Sequence, residues 1–240
     1  MKDNSLIIIP TYNESENIEL IINKIINIDN SNDILVVDDN SPDGTPEIVE
    51  KLKKIHYERV FLINREKKTG LGSAYKAGFK WALEKRYPYI FEMDADMSHD
   101  PDEINNLKIE LIQNKFDVVV GSRYLDGVSV VNWPLSRIFL SYFANLYVRV
   151  ITSMPIKDAT SGFIGYSNQA LSSLELSEIN FNGYAFQIEM KFKLWKKKFK
   201  LKEHQIIFVN RKLGKSKMDH NIIFEAIFGV IKLKINSFFK

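Results

Sequence analysis

The sequence of 240 residues contains no cysteine. This absence excludes disulfide-stabilised folds, cysteine-based zinc sites, iron–sulfur clusters and thiol nucleophiles. An excess of charge of one sign is also missing, because 33 Lys and Arg residues stand against 30 Asp and Glu residues, a formal net charge of +3. Such a small excess does not favour nucleic acid as a partner.

Long apolar runs are absent as well. The first one, residues 6–9, ends at Pro10 and is too short for the core of a signal peptide. No uncharged apolar run reaches the ~18 residues that a membrane-spanning helix needs. We therefore expect no transmembrane span in a chain whose 45% hydrophobic and 26% charged residues are ordinary for a globular protein.

Within the first half of the chain, short apolar segments alternate with segments whose apolar residues recur at helical spacing. A helix is predicted to begin at Thr45 as its N-cap, and another near Asp100, with Glu103 placed like a capping-box partner. The alternation predicts an α/β fold with a mostly parallel central sheet and helices on both faces. The predicted strands cover residues 5–9, 33–38, 59–63, 89–93 and 117–121, and the other helices cover residues 15–28 and 71–86.

Acidic residues follow two of the predicted strands. Asp94 and Asp96 come after residues 89–93, and Asp38 and Asp39 end the second strand. Because the carboxyl ends of parallel strands share one edge, where ligands bind, these carboxylates can converge there. Asp94 and Asp96 could hold a hard divalent cation, with a diphosphate supplying further ligands, or they could form only a turn. A cation or hydrogen-bond donors would have to offset the repulsion between the two acidic strand ends.

Other candidates have an ordinary structural reading beside the functional one. Gly70 and Gly72 open a predicted helix, where they could bind an anion or allow close packing. His99 could be a general base, although a surface loop histidine is the favoured interpretation. Single cations are usually solvated surface charges, but as a set five of them could neutralise a diphosphate and a phosphate acceptor: Arg123, Arg137, Arg211, Lys215 and Lys217.

Two segments of the second half are strongly apolar. Residues 134–152 are apolar almost all round, which fits a core helix, a subunit interface or a helix at a membrane surface near a lipid substrate. Residues 222–240 mix aliphatic and Phe side chains with lysines. This segment could dock on the core, pair with a partner or lie on anionic lipid.

Eight ordered blocks of the sequence resemble the family-2 glycosyltransferases of GT-A fold, and within them the polyprenol- (dolichol-) phosphate mannose synthases. The resemblance covers about residues 5–217 and implies a GT-A (Rossmann-like) catalytic domain over residues 1–217, followed by a peripheral amphipathic helix over residues 218–240. The blocks are IPTYNE at 9–14, VDDNSPDGT at 37–45, GLGSAYKAG at 70–78, MDAD at 93–96, GSRY at 121–124, DATSGF at 158–163, GYAFQIEM at 183–190 and FVNR at 208–211.

The resemblance implies transfer of mannose from GDP-mannose to a polyprenyl phosphate with inversion. It also implies a Mg²⁺ or Mn²⁺ ion held by Asp94, Asp96 and Ser98, an acceptor phosphate held by Arg137 and Ser141, and catalytic roles for Asp96, Arg123 and Arg137. Alternatives are UDP-glucose or another donor, and a non-catalytic nucleotide-sugar-binding subunit. The implied nucleotide-sugar residues are Pro10, Tyr12, Glu14, Val37, Asp39, Asp94, Ala95, Asp96, Arg123, Arg211 and Lys217.

The chain departs from this family pattern at two positions. Ser98 stands where many relatives carry an amide that contacts the metal, and Ile164 stands where many carry a basic residue. Several relatives also continue into transmembrane helices. We therefore expect a peripheral enzyme on the cytoplasmic face of a membrane, the endoplasmic reticulum in a eukaryote, acting alone or with a separate small membrane subunit.

Overall fold

The structure is a computed structural model that describes residues 4–211 and 220–237. The strands are β1 (Ser5–Thr11), β2 (Asn32–Asp38), β3 (Val60–Asn64), β4 (Tyr89–Glu92), β5 (Val118–Ser122), β6 (Val130–Val131), β7 (Ile164–Ser167), β8 (Leu201–Gln205) and β9 (Phe208–Val209). The α-helices are α1 (Ile18–Ile28), α2 (Thr45–Ile55), α3 (Leu71–Glu84), α4 (Glu103–Ile112), α5 (Leu135–Thr152), α6 (Asn168–Ser172), α7 (Tyr184–Lys196) and α8 (His220–Asn236).

Seven strands form the central sheet, in the order β3-β2-β1-β4-β7-β5-β8. All neighbouring pairs are parallel except those of β7, which runs antiparallel to both β4 and β5. The prediction of a mostly parallel α/β sheet is confirmed. A separate two-stranded ladder pairs Val130 with Phe208 and so ties the segment after β5 to the segment after β8.

Helices cover both faces of the sheet. Ile7 and Ile9 of β1 face the core made with α1, α2 and α4, whereas Leu6 and Ile8 face the core made with α3, α6 and α7. Both sides of this strand are therefore buried, which explains why its sequence is a continuous apolar run.

The two predicted helix starts are wrong in detail. Gly44, with φ of 89°, is the N-cap of α2. Thr45 lies inside the first turn, and its hydroxyl donates a hydrogen bond of 2.6 Å to Asp43 Oδ1. The carboxylate of Glu103 does not turn back to cap α4, because its Oε2 lies 3.2 Å from Nε2 of His204. At α2 a glycine with positive φ and the local Thr45–Asp43 contact replace the predicted cap, whereas at α4 a contact with the distant His204 does so.

The C-terminal helix α8 packs on α5 and α7. Val230 and Leu233 are buried in a third core with Val148 of α5 and Phe192 of α7. Of the three possibilities for this segment, docking on the core is thus realised for residues 228–237. The boundary at residues 217 and 218 stays a prediction. In the parts of the chain that the structure covers, no helix combines the length and the apolar character that a membrane crossing requires.

Candidate active site

The loop after β2 is built around Asp38. Its Oδ2 accepts hydrogen bonds from Thr11 Oγ1 at 2.7 Å and from Ser41 Oγ at 2.6 Å, and its Oδ1 accepts one from the Ser41 amide at 2.7 Å. Hydrogen-bond donors of the protein thus offset the charge of this carboxylate. Asp38 shapes the turn beside β1 and is not presented to a ligand.

Asp39 faces the loop between β3 and α3. Its Oδ1 lies 2.6 Å from Nη1 of Arg65. Burial raises the pKa of Asp39, and the positive charge of Arg65 opposes that shift. In the same loop, the Lys68 ammonium lies 4.1 Å from the ring centroid of Tyr12. The loop therefore covers two of the residues predicted to hold the nucleoside.

The other predicted nucleoside residues lie at the same edge. Pro10 and Val37 are register partners on adjacent strands. Glu14 is buried; its amide donates to Thr45 Oγ1 at 3.0 Å, and its Oε2 accepts from Asn17 Nδ2 at 3.0 Å. The structure thus brings Pro10, Tyr12, Glu14, Val37 and Asp39 together where β1 and β2 end.

Asp94, Asp96 and Ser98 occupy the turn that follows β4. Asp96 Oδ1 accepts a hydrogen bond from the Ser98 amide at 3.1 Å, and its Oδ2 lies 2.7 Å from Nη2 of Arg211. Burial and the negative charge of Asp96 raise the pKa of Asp94 to about 7, although Arg211 opposes the shift. Ala95 is buried between the two acids.

This turn fits a hard divalent cation. Ser98 Oγ is buried, and within the described part of the chain it has no hydrogen-bond partner, so it remains available as a weak oxygen ligand. Mg²⁺ and Mn²⁺ prefer such oxygen donors. Among residues 4–211 and 220–237, no three His, Asp or Glu side chains converge into a ready metal cage. This turn alone would leave further coordination positions of such a cation open.

Arg123, at the end of β5, is held by Asp158. Nε and Nη2 of Arg123 each donate to a different oxygen of Asp158 at 2.7 Å, and the Arg123 amide donates to Oδ2 at 2.9 Å. Burial would raise the pKa of Asp158, but the charge and hydrogen bonds of Arg123 outweigh it and hold that pKa below its usual range. The guanidinium also lies 5.5 Å from the Trp133 ring and 5.6 Å from the Phe208 ring.

Arg137 also contacts Trp133, with its guanidinium carbon 3.9 Å from the ring centroid. Its Nη1 donates a hydrogen bond of 3.0 Å to Asn210 Oδ1. Ser141 follows one turn later on α5, so it shares a helix face with Arg137. The indole of Trp133 thus contacts two guanidinium groups, that of Arg123, which is bound to Asp158, and that of Arg137.

His99 is buried, so the prediction of a surface histidine is wrong. Its ring stacks on Phe163 at 5.1 Å and meets Phe208 edge-on at 5.2 Å. Burial lowers the pKa of His99 to about 4. The neutral ring packs between the turn after β4 and the strand β9.

Comparison with known proteins identifies the family of this chain. Residues 6–174 match the profile of Glycosyl transferase family 2. The chain belongs to glycosyltransferase family 2. It is 42% identical over 226 residues to a polyprenol monophosphomannose synthase of Mycolicibacterium smegmatis, covering 94% of this chain and 85% of that one. It is 39% identical over 227 residues to an undecaprenyl-phosphate mannosyltransferase of Micrococcus luteus, covering 95% and 92%.

Solved structures share the fold of this family 2 glycosyltransferase. A glucosyl-3-phosphoglycerate synthase from Mycobacterium tuberculosis in complex with Mn²⁺ and UDP has a TM-score of 0.71 at 15% identity, over 98% of this chain and 79% of that one. A mannosyltransferase from Pyrobaculum calidifontis in complex with GDP-Man and Mn²⁺ has a TM-score of 0.61 at 16% identity, over 98% and 73%.

A buried polar network of this family 2 glycosyltransferase had no assigned role in the sequence analysis. Glu92 Oε1 accepts a hydrogen bond from the Tyr166 hydroxyl at 2.8 Å, and Gln187 Nε2 donates to Glu92 Oε2. Lys191 Nζ donates to the carbonyl oxygens of Ala159 and Ser161 at 2.9 and 2.8 Å. Burial raises the pKa of Glu92 to about 7 and lowers that of Lys191 to about 7. An acidic residue at the end of an apolar strand is the sequence signal for this network.

Of the other positions considered in the sequence, the structure describes the two glycines before and in α3 and Ile164, but not the C-terminal lysines. Gly70 has φ of +101°, and a Cβ on Gly72 would lie 2.7 Å from the Phe186 ring, so the packing interpretation of these glycines is satisfied. Ile164 is buried in the core on one face of the sheet. Lys215 and Lys217 lie outside the residues that the structure describes.

Proposed function

We propose that this protein transfers mannose from GDP-mannose to a polyprenyl phosphate with inversion, giving polyprenyl-phosphate mannose and GDP. The proposal rests on one observation, namely that two groups of charged residues lie close to each other at the same edge of the sheet. The Asp94–Asp96 turn with Arg211 suits a diphosphate, and Arg137 on Trp133 lies beside it at the start of α5. The names of the mannosyltransferase relatives support mannose as the sugar and a polyprenyl phosphate as the acceptor.

The charges of the site fit this chemistry. The acceptor is a phosphate monoester that is already anionic near neutral pH, so its attack needs no strong general base. A phosphate oxygen forms a bond to the anomeric carbon while the bond from that carbon to the diphosphate breaks, and the electron pair leaves with GDP. In this proposal Arg137 orients the acceptor phosphate and Arg211 contacts the diphosphate. Arg123, fixed by Asp158, holds Trp133 and contributes positive charge.

The metal would be held by Asp94, Asp96 and Ser98. When bound, Mg²⁺ or Mn²⁺ supplies positive charge to the leaving diphosphate. The chain's own contribution is to place these oxygens in a single turn, with the Ser98 amide fixing one oxygen of Asp96.

We further infer that the protein works at a membrane surface, on its cytoplasmic face, alone or with a small membrane subunit. Monomeric soluble proteins rarely expose large contiguous apolar patches, and such patches commonly mark interaction sites. Here Arg137 lies in the first turn of α5, and both α5 and α8, which pack together, expose apolar side chains. The exposed set is Leu135, Phe139, Leu140, Tyr142, Phe143 and Val150 on α5 and Phe228, Ile231 and Ile235 on α8.

A transfer assay tests the proposal. The purified chain is mixed with a short-chain polyprenyl phosphate and, in parallel, GDP-mannose, UDP-glucose or UDP-N-acetylglucosamine, each with and without Mg²⁺ or Mn²⁺. We expect product from GDP-mannose only, and only with metal. Product from a UDP-sugar alone would overturn mannose while keeping the reaction type. No product without a membrane fraction, but product with it, would point to a membrane subunit, and no product in either case would favour a binding role.

A further inference from the structure

Residues 179–183, which precede α7, contact both α3 and α8. The Phe181 ring packs against Gly229 of α8, where an added Cβ would lie 2.7 Å from Cε1 of the ring. The backbone of the same residue packs against α3, because a Cβ added to Gly72 would lie 2.9 Å from the Phe181 carbonyl oxygen. The absence of a side chain on each glycine therefore lets Phe181 touch the two helices at once.

This segment is held in place by hydrogen bonds to its backbone. Glu189 of α7 is fully buried, and its Oε2 accepts hydrogen bonds from the amides of Asn180 at 2.9 Å and Phe181 at 3.1 Å. Lys76 of α3 donates from Nζ to the Ile179 carbonyl at 3.0 Å. The position of the segment is therefore fixed relative to both α7 and α3.

The first turn of α3 depends on this segment. The Gly72 amide donates to the Asn182 carbonyl at 2.8 Å, and a Cβ added to Gly70 would lie 3.3 Å from Cβ of Asn182. The first amides of a helix have no partner inside the helix. Here Asn182 satisfies the amide of Gly72, so the segment before α7 sets where α3 begins.

The same turn of α3 reaches Asp39 at the end of β2. Ser73 Oγ accepts a hydrogen bond of 2.8 Å from Nη2 of Arg65, and Nη1 of Arg65 lies 2.6 Å from Asp39 Oδ1. Direct contacts therefore run without a break from Gly229 of α8, through Phe181 and the start of α3, to Asp39. A binding site needs its groups within about 0.5 Å of the productive geometry, so a shift at any point of this chain of contacts matters.

Two partly buried side chains pack on two hydrophobic cores at once, the core that α3 shares with the sheet and the core of α5, α7 and α8. They are Phe181 and Leu201. Leu201 begins β8, whereas Asp39 follows the end of β2, and the two strands run in the same direction. Leu201 therefore joins the same cores at the opposite edge of the sheet and offers a matched position for comparison.

We propose that Phe181 is a positioning residue for the donor, and that α8 supports the donor site through it. The ring rests on α8, the neighbouring carbonyl of Asn182 binds the first turn of α3, and that turn holds Arg65 against Asp39. The inference rests on the proposed function, because it takes Asp39 as a residue that binds the nucleoside of the donor. The helix with an exposed apolar face thus also supports the nucleotide pocket.

Two variants alter the contact in different ways. Phe181→Leu shortens the side chain, and Gly229→Ala adds a methyl group that displaces the intact ring. Isothermal titration of the full chain with Mn²⁺ gives the Kd of GDP, with UDP in parallel, and the transfer assay gives the KM of a short-chain polyprenyl phosphate. We expect the Kd of GDP to rise about 3- to 10-fold in each variant while the acceptor KM stays within about twofold. Because both changes act through one contact, their effects on the Kd should not add in the double variant.

Leu201→Ala separates positioning from stability. Urea unfolding should show a lower midpoint in Phe181→Leu and in Leu201→Ala, since each removes apolar contacts with the same two cores. In Leu201→Ala, however, the Kd of GDP should stay within about twofold of the wild-type value, because the start of α3 keeps its contacts.

The outcomes distinguish this inference from the proposed function. An unchanged Kd of GDP in Phe181→Leu and Gly229→Ala overturns the positioning role. So does an equal rise of that Kd in Leu201→Ala, which would indicate a general loss of structure. Binding of UDP but not GDP by the wild type overturns the donor of the proposed function, and the positioning role is then tested on the Kd of UDP. No binding of either nucleotide by the wild type overturns both.

Discussion

Arg123 and Asp158 form a buried two-point ion pair, in which two nitrogens of the arginine each lie 2.7 Å from an oxygen of the aspartate. The backbone amide of Asp158 in turn donates a hydrogen bond of 2.8 Å to Glu203 Oε1, which fixes the position of the aspartate. The pair thus joins the end of β5 to the segment before β7 and to β8. It fixes the position of a positive charge beside Trp133.

Removing one partner of this pair should be costly. In Asp158→Ala the guanidinium of Arg123 stays buried without its counter-charge, and we expect a loss of about 3–5 kcal/mol in the free energy of unfolding. Asp100→Ala is the matched control, since its contact with Lys24 is exposed and is worth less than about 1 kcal/mol. Urea unfolding measures both. Equal losses in the two variants would refute the structural role of Asp158.

Asp96 is expected to be essential for metal-dependent turnover. Asp96→Asn removes a charged oxygen ligand, so we expect Mn²⁺ binding in the presence of GDP to weaken and turnover to fall by about 100-fold or more. Titration calorimetry and the transfer assay give the two values. Asp102→Asn, an exposed carboxylate on the same loop, should leave both within about twofold. Retained metal binding in Asp96→Asn would show that this aspartate is not a ligand.

Arg137 should act on the acceptor and not on the donor. Arg137→Ala removes the guanidinium that stacks on Trp133, so the KM for polyprenyl phosphate should rise about tenfold or more while the Kd for GDP-mannose stays within twofold. Arg149→Ala removes the same charge from the other end of α5 and serves as control. Equal losses for donor and acceptor in Arg137→Ala would contradict this assignment.

The exposed apolar face of α5 should bind lipid. Phe139 is 59% exposed, and Phe139→Glu should weaken sedimentation with vesicles that contain anionic lipid. Activity toward a long-chain acceptor in vesicles should fall with it, whereas activity toward a short soluble acceptor should persist. Ile55→Glu is the control, because Ile55 is 71% exposed at the end of α2, outside this face. An equal loss of vesicle binding in both variants, or no loss in either, would contradict a lipid-binding role for this face of α5.

Acid should destabilise the protein partly through Asp43. Although burial opposes the shift, hydrogen bonds from Thr45 and Ser15 lower its pKa to about 2, below its usual value of about 4. A group whose pKa is lower in the folded state contributes stability above pH 4, and that stability is lost as the pH falls from 4 to 2. Urea unfolding across this window should show a smaller loss in Asp43→Asn than in the wild type. Asp126→Asn, on an exposed turn, should behave like the wild type.

The strands and helices of the first half were predictable because burial there follows local patterns. Residues 6–9 are apolar since both faces of β1 are covered. Across the strands and helices predicted in this half, the predicted ends differ from the observed ones by up to three residues. The helix α1 begins at Ile18 and not at residue 15, because the Glu14 carbonyl accepts from the Asn17 and Ile18 amides in a preceding turn.

Contacts between distant segments could not be predicted in the same way. Nothing local in Ile164–Ser167 indicates that β7 inserts between β4 and β5 in the opposite direction. The burial of His99 depends on Phe163 and Phe208, which are far away in the sequence. The convergence at the sheet edge was predictable from topology, whereas the partners that fix each side chain, such as Asp158 for Arg123, were not. The roles assigned to the site residues stay predictions.

The antiparallel strand β7 has a consequence for the segment between residues 123 and 163. The chain leaves the sheet after β5 and returns on the adjacent strand, where the Gly121 amide donates to the Phe163 carbonyl at 2.8 Å. The two ends of the segment are therefore neighbours, and a change in its length costs little closure entropy. Insertions or deletions in this segment, which carries Arg137 and the exposed face of α5, are therefore expected to leave unchanged the register of the strands that hold the acidic turn.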